Sequence, residues 1–125
     1  MTSELRVTTI ANNAGSESVD TTYVVNGSAK HWTHFDQSNS NTVRDSFNQS
    51  SATDVSTGNY YFSFSSSMAN KYFSSPFMSE RYRSRFNGGT TSSTTSRTDT
   101  CEGANSSNNN DDTEHCSLAT FGDLA

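Results

Sequence analysis

Gly58-Asn59-Tyr60-Tyr61-Phe62-Ser63-Phe64-Ser65 is an aromatic/small alternation of period two, set in a chain otherwise dominated by Ser, Thr and Asn. Successive side chains of a strand point to opposite faces, so Tyr60, Phe62 and Phe64 share one face and Tyr61, Ser63 and Ser65 the other. One face is therefore expected to be buried and the other wet. A strand of a parallel sheet is covered on both sides and reads as an unbroken apolar run, so this alternation predicts an antiparallel sheet.

The chain has 125 residues, enough for one core and too few apolar residues for a second. Hydrophobic residues make up 30% and charged residues 17%, both low for a globular domain. Aromatics nevertheless reach 11% and the net charge is only −5, whereas disordered chains carry few aromatics and stronger charge. A core this small is marginal in a monomer, which predicts further burial between subunits. The acidic balance argues against a general nucleic-acid partner, and no apolar run is long enough for membrane insertion. Met1-Thr2-Ser3-Glu4-Leu5-Arg6 lacks the basic start and apolar core of a secretion signal.

Working outward from the aromatic strand, short apolar runs recur between turn residues. Residues 1–28 carry sparse apolar positions around Asn12-Asn13-Ala14-Gly15-Ser16, read as two short strands forming an arm that docks on a neighbouring subunit or a larger assembly. Residues 29–125 are expected to form the β-domain. Strands are predicted in 30–35, 43–48, around 52–56, in 71–75 just before Pro76, in 81–86 and in 115–121, with no useful helical period. Many short strands with frequent turns indicate an all-β fold, an antiparallel β-sandwich of jelly-roll-like kind with a short N-terminal arm.

Cys101 and Cys116 bracket a polar segment and can be read as a disulfide staple, worth about 3 kcal/mol through restriction of the unfolded chain and implying an oxidising environment. The alternative is two free thiols at the ends of neighbouring strands. His31 and His34 stand three apart in a strand and so point to opposite faces, which excludes joint chelation of a metal within one subunit. No metal or other cofactor is implied. The chain has no Gly-x-Ser-x-Gly elbow, and Asp111, Asp112 and Glu114 lack both the framework of a glycosidase pair and the spacing of a calcium loop, so no catalytic residue is assigned and no enzyme is expected.

Arg81, Arg83 and Arg85 alternate onto one strand face, making a basic row that with nearby Tyr72 or Tyr82 could contact acidic surface polysaccharide, or else pair across strands with Asp or Glu of the same subunit or its neighbour. Trp32, Phe35, Phe47, Tyr60, Phe62, Phe64, Phe73 and Phe121 read as core or intersubunit packing rather than sugar-stacking platforms.

Several of these pieces, in this order, resemble a small domain common in tail-fibre and related structural proteins of tailed bacteriophages, particularly marine and cyanobacterial ones. Ser3-Glu4-Leu5-Arg6-Val7 is similar to the start of such fibres, and Gly27-Ser28-Ala29-Lys30-His31-Trp32-Thr33-His34-Phe35 to their Ala-Lys-Ala-Trp-x-x-Phe strand. Val43-Arg44-Asp45-Ser46-Phe47-Asn48 fits an Arg-x-Ser-Phe-Asn element. Thr57-Gly58-Asn59-Tyr60 with Phe62, Phe64 and Met68-Ala69-Asn70 follows a Gly-Asp-Tyr and Met-Pro pattern, and Phe121-Gly122-Asp123-Leu124-Ala125 is similar to the family's ending. The chain departs from it at His31, where Ala is usual, at Ala69, where Pro is common, and throughout 79–114. The resemblance implies a non-enzymatic virion protein, a homotrimer displayed on a tail or fibre, attached to other virion proteins through its N-terminus and serving host adhesion. The alternative it leaves open is an architectural capsid or tail decoration protein that cements its neighbours without binding a receptor.

Overall fold

A computed structural model describes residues 5–38, 42–80, 83–87, 100–104, 107 and 109–125, with the backbone alone over 83–87 and 100–104. In chain order the elements are β1 (Thr9–Ala11), β2 (Ser18–Asp20), α1 (Thr21–Gly27), β3 (His31–Asp36), β4 (Thr42–Phe47), β5 (Gln49–Ser56), β6 (Asn59–Phe64), β7 (Phe77–Ser79), β8 (Arg83–Asn87), β9 (Thr100–Ala104) and β10 (Cys116–Thr120). The fold is all-β and sandwich-like, with every pairing antiparallel. One sheet runs β4-β3-β10-β7, the other β5-β6-β9-β8, and β1 and β2 form a separate hairpin. No helix among the described residues is long and apolar enough to cross a membrane.

The aromatic alternation is what joins the two sheets. On β6, Tyr60, Phe62 and Phe64 are buried while Asn59, Tyr61 and Ser63 are half-exposed. Facing them from the first sheet are Phe35, Cys116 and Leu118, and together with Tyr60 and Phe62 these make the central core, against which Val43, Ala52 and Phe77 pack. The Phe35 and Phe62 rings meet edge to face with centroids 4.7 Å apart, the arrangement that the ring quadrupoles favour.

Between β4 and β5 the chain passes from one sheet to the other within a single residue. Asn48 lies between β4 and β5 with φ of 55°, in the left-handed region that Asn tolerates better than most residues. Its side chain holds the corner from both sides: Nδ2 donates to the Lys30 carbonyl at 2.9 Å and to the Ser66 carbonyl at 3.1 Å, while Oδ1 accepts from the Ser66 N–H at 2.6 Å. These bonds reach the chain entering β3 and the chain leaving β6, so the corner also fixes how the two sheets are offset. Gly58, with φ of 69°, makes the tight turn between β5 and β6 and donates its N–H to Asp112 at 2.6 Å.

A polar group sits deep beside the aromatic layer. His31 is fully buried. Its Nε2 donates to Gln49 Oε1 at 3.2 Å and its Nδ1 accepts from the Thr120 hydroxyl at 3.3 Å, with the Ser75 hydroxyl 2.9 Å from the same Thr120 oxygen. The ring stands edge-on to Phe64 at 5.0 Å. Burial pushes the imidazole pKa below its ordinary 6.5, against the opposing pull of the Gln49 bond.

Three elements differ from the sequence expectation. The two short strands expected around residues 12–16 are β1 and β2, but residues 21–27 after them form α1, where no helix was expected, because Asp20 caps it by accepting from the Thr22 N–H at 2.7 Å; this local bond outweighs the extended preference of Tyr23, Val24 and Val25. The strand expected before Pro76 lies after it, as β7 at a sheet edge. Within residues 71–75 only Ser74 pairs, in an isolated bridge to Phe121, since the proline lacks the N–H that would carry the ladder through. β9 was not expected at all, because Thr100-Cys101-Glu102-Gly103-Ala104 carries no apolar alternation.

Replacing Asn48 by Ala removes three hydrogen bonds and strains the left-handed backbone, and is expected to cost about 2–4 kcal/mol. Asn48→Gly relieves the strain but not the lost bonds and should fall between Ala and the native chain in urea unfolding. For His31, the unfolded chain takes up a proton near pH 6.5 while the folded chain resists it to lower pH. Stability should therefore be independent of this group above about pH 6.5, fall as pH drops below it, and level off once the folded imidazole also titrates. His31→Gln should flatten that part of the melting temperature against pH curve.

Candidate functional site

The arm and the outer face of the first sheet carry the exposed chemistry. In the arm, β1, β2 and α1 contain no buried residue. Thr21 ties the pieces together, its N–H donating to the Thr8 carbonyl at 2.8 Å and its hydroxyl to the Val7 carbonyl at 2.9 Å. Leu5, Val7, Ile10, Val24 and Val25 then line an apolar groove of about 470 Å³ on the arm's surface. Lys30, itself buried, anchors the arm to the start of β3: its ammonium donates to the Val25 and Ser28 carbonyls and to the Ser28 hydroxyl.

On the first sheet, antiparallel register decides what faces outward. Trp32 stands opposite Phe47 on β4 and Ala119 on β10, while His34 stands opposite Asp45 and Ser117, and Ser117 opposite Met78 on β7. Residues directly opposite share a face, so all of these project outward, away from Phe35 and Leu118. Trp32 and Phe47 are 37% and 53% exposed. They are thus not core residues, whereas Phe35, Tyr60, Phe62 and Phe64 are buried as expected. Between Trp32 and the Pro76–Met78 edge, the small residues Ser117 and Ala119 leave a trough of about 320 Å³.

At one end of this face lies a charged cluster. A register shift between His34 and Phe35 leaves Arg44 without a directly opposed partner, the mark of a β-bulge. Its guanidinium meets Asp36 Oδ2 at 2.8 Å, Glu114 Oε1 at 3.1 Å and His115 Nδ1 at 3.1 Å. Asp36 is almost fully buried, so Arg44 supplies the counter-charge its carboxylate requires, and Asp36 and Glu114 in turn push the Arg44 pKa up. His115 stacks on His34 with centroids 5.8 Å apart. His31 and His34 do face opposite sides of β3, one in the core and one on the outer face. Among the described residues no three His, Cys, Asp or Glu side chains gather in a way that could hold a metal ion.

Arg81 and Tyr82 lie outside the described residues. Arg83 and Arg85 are on β8, where Arg85 stands in register with Glu102 and Arg83 with Ala104; their side chains are outside the described set. The expected Cys101–Cys116 bridge is not formed: Cys116 is a free, fully buried thiol. Alternation along β10 turns it into the core beside Leu118, where its sulfur lies 2.6 Å from the Thr113 hydroxyl. Thr113 in turn bonds Gln37, through backbone and side chain, and closes that end of the sandwich. Sequence reasoning missed the Arg44 cluster because its partners are 8, 70 and 71 residues away along the chain.

No family model, curated protein or solved structure matches this chain.

Burial pushes the Cys116 thiol up to about 11. At pH 8 it should therefore resist a thiol-specific disulfide reagent in the native chain and react on unfolding. A non-reduced digest should yield the Cys116 peptide unlinked, and a Cys101–Cys116 cross-linked peptide would refute the free-thiol assignment.

Proposed function

We propose that this chain is a non-enzymatic structural protein of a virion, of the tail-fibre type: residues 1–28 attach it to other particle proteins, and residues 29–125 trimerise and present a β-domain for host-surface adhesion. The single observation that carries this reading is the arm, in which Leu5, Val7, Ile10, Val19, Tyr23, Val24 and Val25 are all exposed. Apolar residues clustered at a surface mark a contact with another protein, and the sandwich has its own core without them. The order of motifs resembling phage fibre domains supplies the kind of particle. Adhesion by many copies on one particle needs only weak individual sites, because the later contacts form at high effective concentration.

Placing a charge in the arm separates attachment from folding. Ile10→Asp with Val24→Asp in the full chain should abolish co-purification with particles while shifting the melting temperature of the β-domain little. Light scattering on the intact native chain should give three times the chain mass. A monomer absent from purified particles would sink the proposal. Particles that fail to assemble when the outer sheet face is altered would favour the cementing role instead.

A further inference from the structure

The trough on the outer face of the first sheet has a composition that an ordinary solvated sheet face lacks. Its floor is the inner strand β10, reduced there to Ser117 and Ala119. Trp32 and His34 on β3 form one wall, and Pro76 and Met78 at β7 form the other. With β3 and β7 each one strand from β10, the walls stand about 9–10 Å apart at the backbone. Three groups on this face can hydrogen-bond and have no partner among the described residues: the Trp32 indole N–H, the His34 imidazole and the Ser117 hydroxyl. The His34 ring face is stacked on His115, which leaves its nitrogens at the ring edge; a half-exposed indole flanked by this imidazole and a hydroxyl matches a sugar ring, whose C–H face stacks on an aromatic plane while its hydroxyls take polar partners.

Size favours a small ligand over a second copy of the chain within the trough itself. The trough is framed by eight residues, whereas a stable protein interface engages roughly 20–30 residues on each side. Its volume of about 320 Å³ falls within the range of small-ligand sites, roughly 300–1,000 Å³. Charge decides the kind of sugar. The net charge of −5 disfavours approach of an acidic glycan, and the cations of the neighbouring cluster are already engaged, Arg44 by Asp36 and Glu114.

We propose that this trough is a saccharide subsite that takes one ring of a neutral host-surface polysaccharide, stacked against Trp32 and hydrogen-bonded by His34 and Ser117. The host source of the glycan rests on the adhesive reading above. The ring chemistry rests on the trough alone.

Trp32 is the one tryptophan of the chain, so its fluorescence reports the site directly. The intact protein is titrated with neutral gluco-, manno- and galacto-configured hexasaccharides, and with O-chains from lipopolysaccharide and capsular polysaccharide to distinguish the two host sources. The expected result is a saturable emission change with at least one of them. Ala119→Leu, which fills the floor but keeps Trp32, should weaken it about tenfold with the melting temperature held, and His34→Ala and Ser117→Ala each severalfold. A silent Trp32 across the whole panel overturns the proposal, as does binding that Ala119→Leu leaves intact. An oligomer that Ala119→Leu dissociates also overturns it, since the face would then be an interface between copies. Particle co-purification is scored separately. A particle-bound chain with a silent Trp32 sinks the subsite alone, and a responding Trp32 in a chain absent from particles sinks the virion role alone.

Discussion

The structure depends on the bend at Asn48. Between Phe47, which projects from the outer face of one sheet, and Gln49, which reaches the buried His31 from the other, one residue must reverse the course of the chain. A left-handed backbone does this in a single step, and the Asn side chain then replaces the ladder bonds that a bend interrupts, with its amide bonded to the carbonyls of Lys30 and Ser66 and to the Ser66 N–H. Everything placed on the first sheet, including the Trp32 trough, takes its position relative to the aromatic face of β6 from this corner. A β-branched residue there would lose both the conformation and the bonds.

The aromatic layer and the polar groups around it form one system. Tyr60, Phe62 and Phe64 contribute area without direction, since apolar burial alone would tolerate a slip of the sheets. Direction comes from hydrogen bonds that span them. His31 links β3 to Gln49 on β5 and to Thr120 on β10, and Gly58 links the β5–β6 turn to Asp112. Burial also raises the Tyr60 hydroxyl pKa, with Asp54 and Asp112 nearby acting in the same sense, and it likewise holds the buried His31 and Cys116 toward their neutral forms. His31 thus ties its own sheet to the other through Gln49 and holds the neighbouring strand of its own sheet through Thr120, two bonds that a methyl group at this position would not make.

What could be read from the sequence was local in period. The alternation over Tyr60–Phe64 gave the buried face of β6 and the class of fold, and the alternation at His31 and His34 gave their opposite faces. What could not be read depended on partners remote in sequence or on single local bonds. Trp32 and Phe35 are both aromatic and three apart in one strand, yet one is outside and one inside; alternation separates the two positions, but an aromatic residue does not announce which face is the core. α1 follows from one Asp20 cap acting against β-branched neighbours, and the Arg44 cluster from a bulge with no composition signature. The cysteine spacing was compatible with a staple or with free thiols, and only the structure, in which Cys116 is free, decides between them.

Among the described residues, seven hydrophobic side chains are buried and thirteen large ones are exposed. For a chain of this length that balance is inverted: a small domain is marginal even when its apolar residues are mostly enclosed. Seven of the thirteen lie in the arm, and two more, Trp32 and Met78, flank the trough. Exposed apolar residues scattered singly need no explanation, but these fall in two groups at separate places, one on a module without a core of its own and one on a rigid sheet. Protein contact suits the first, because a thin arm loses little by ordering on a larger surface. Ligand contact suits the second, because a sheet held by the core beneath it keeps its side chains in place before anything binds, so little order is lost on binding. The proposed division into an attaching arm and a presenting domain thus rests on where the small stock of apolar side chains has been left uncovered.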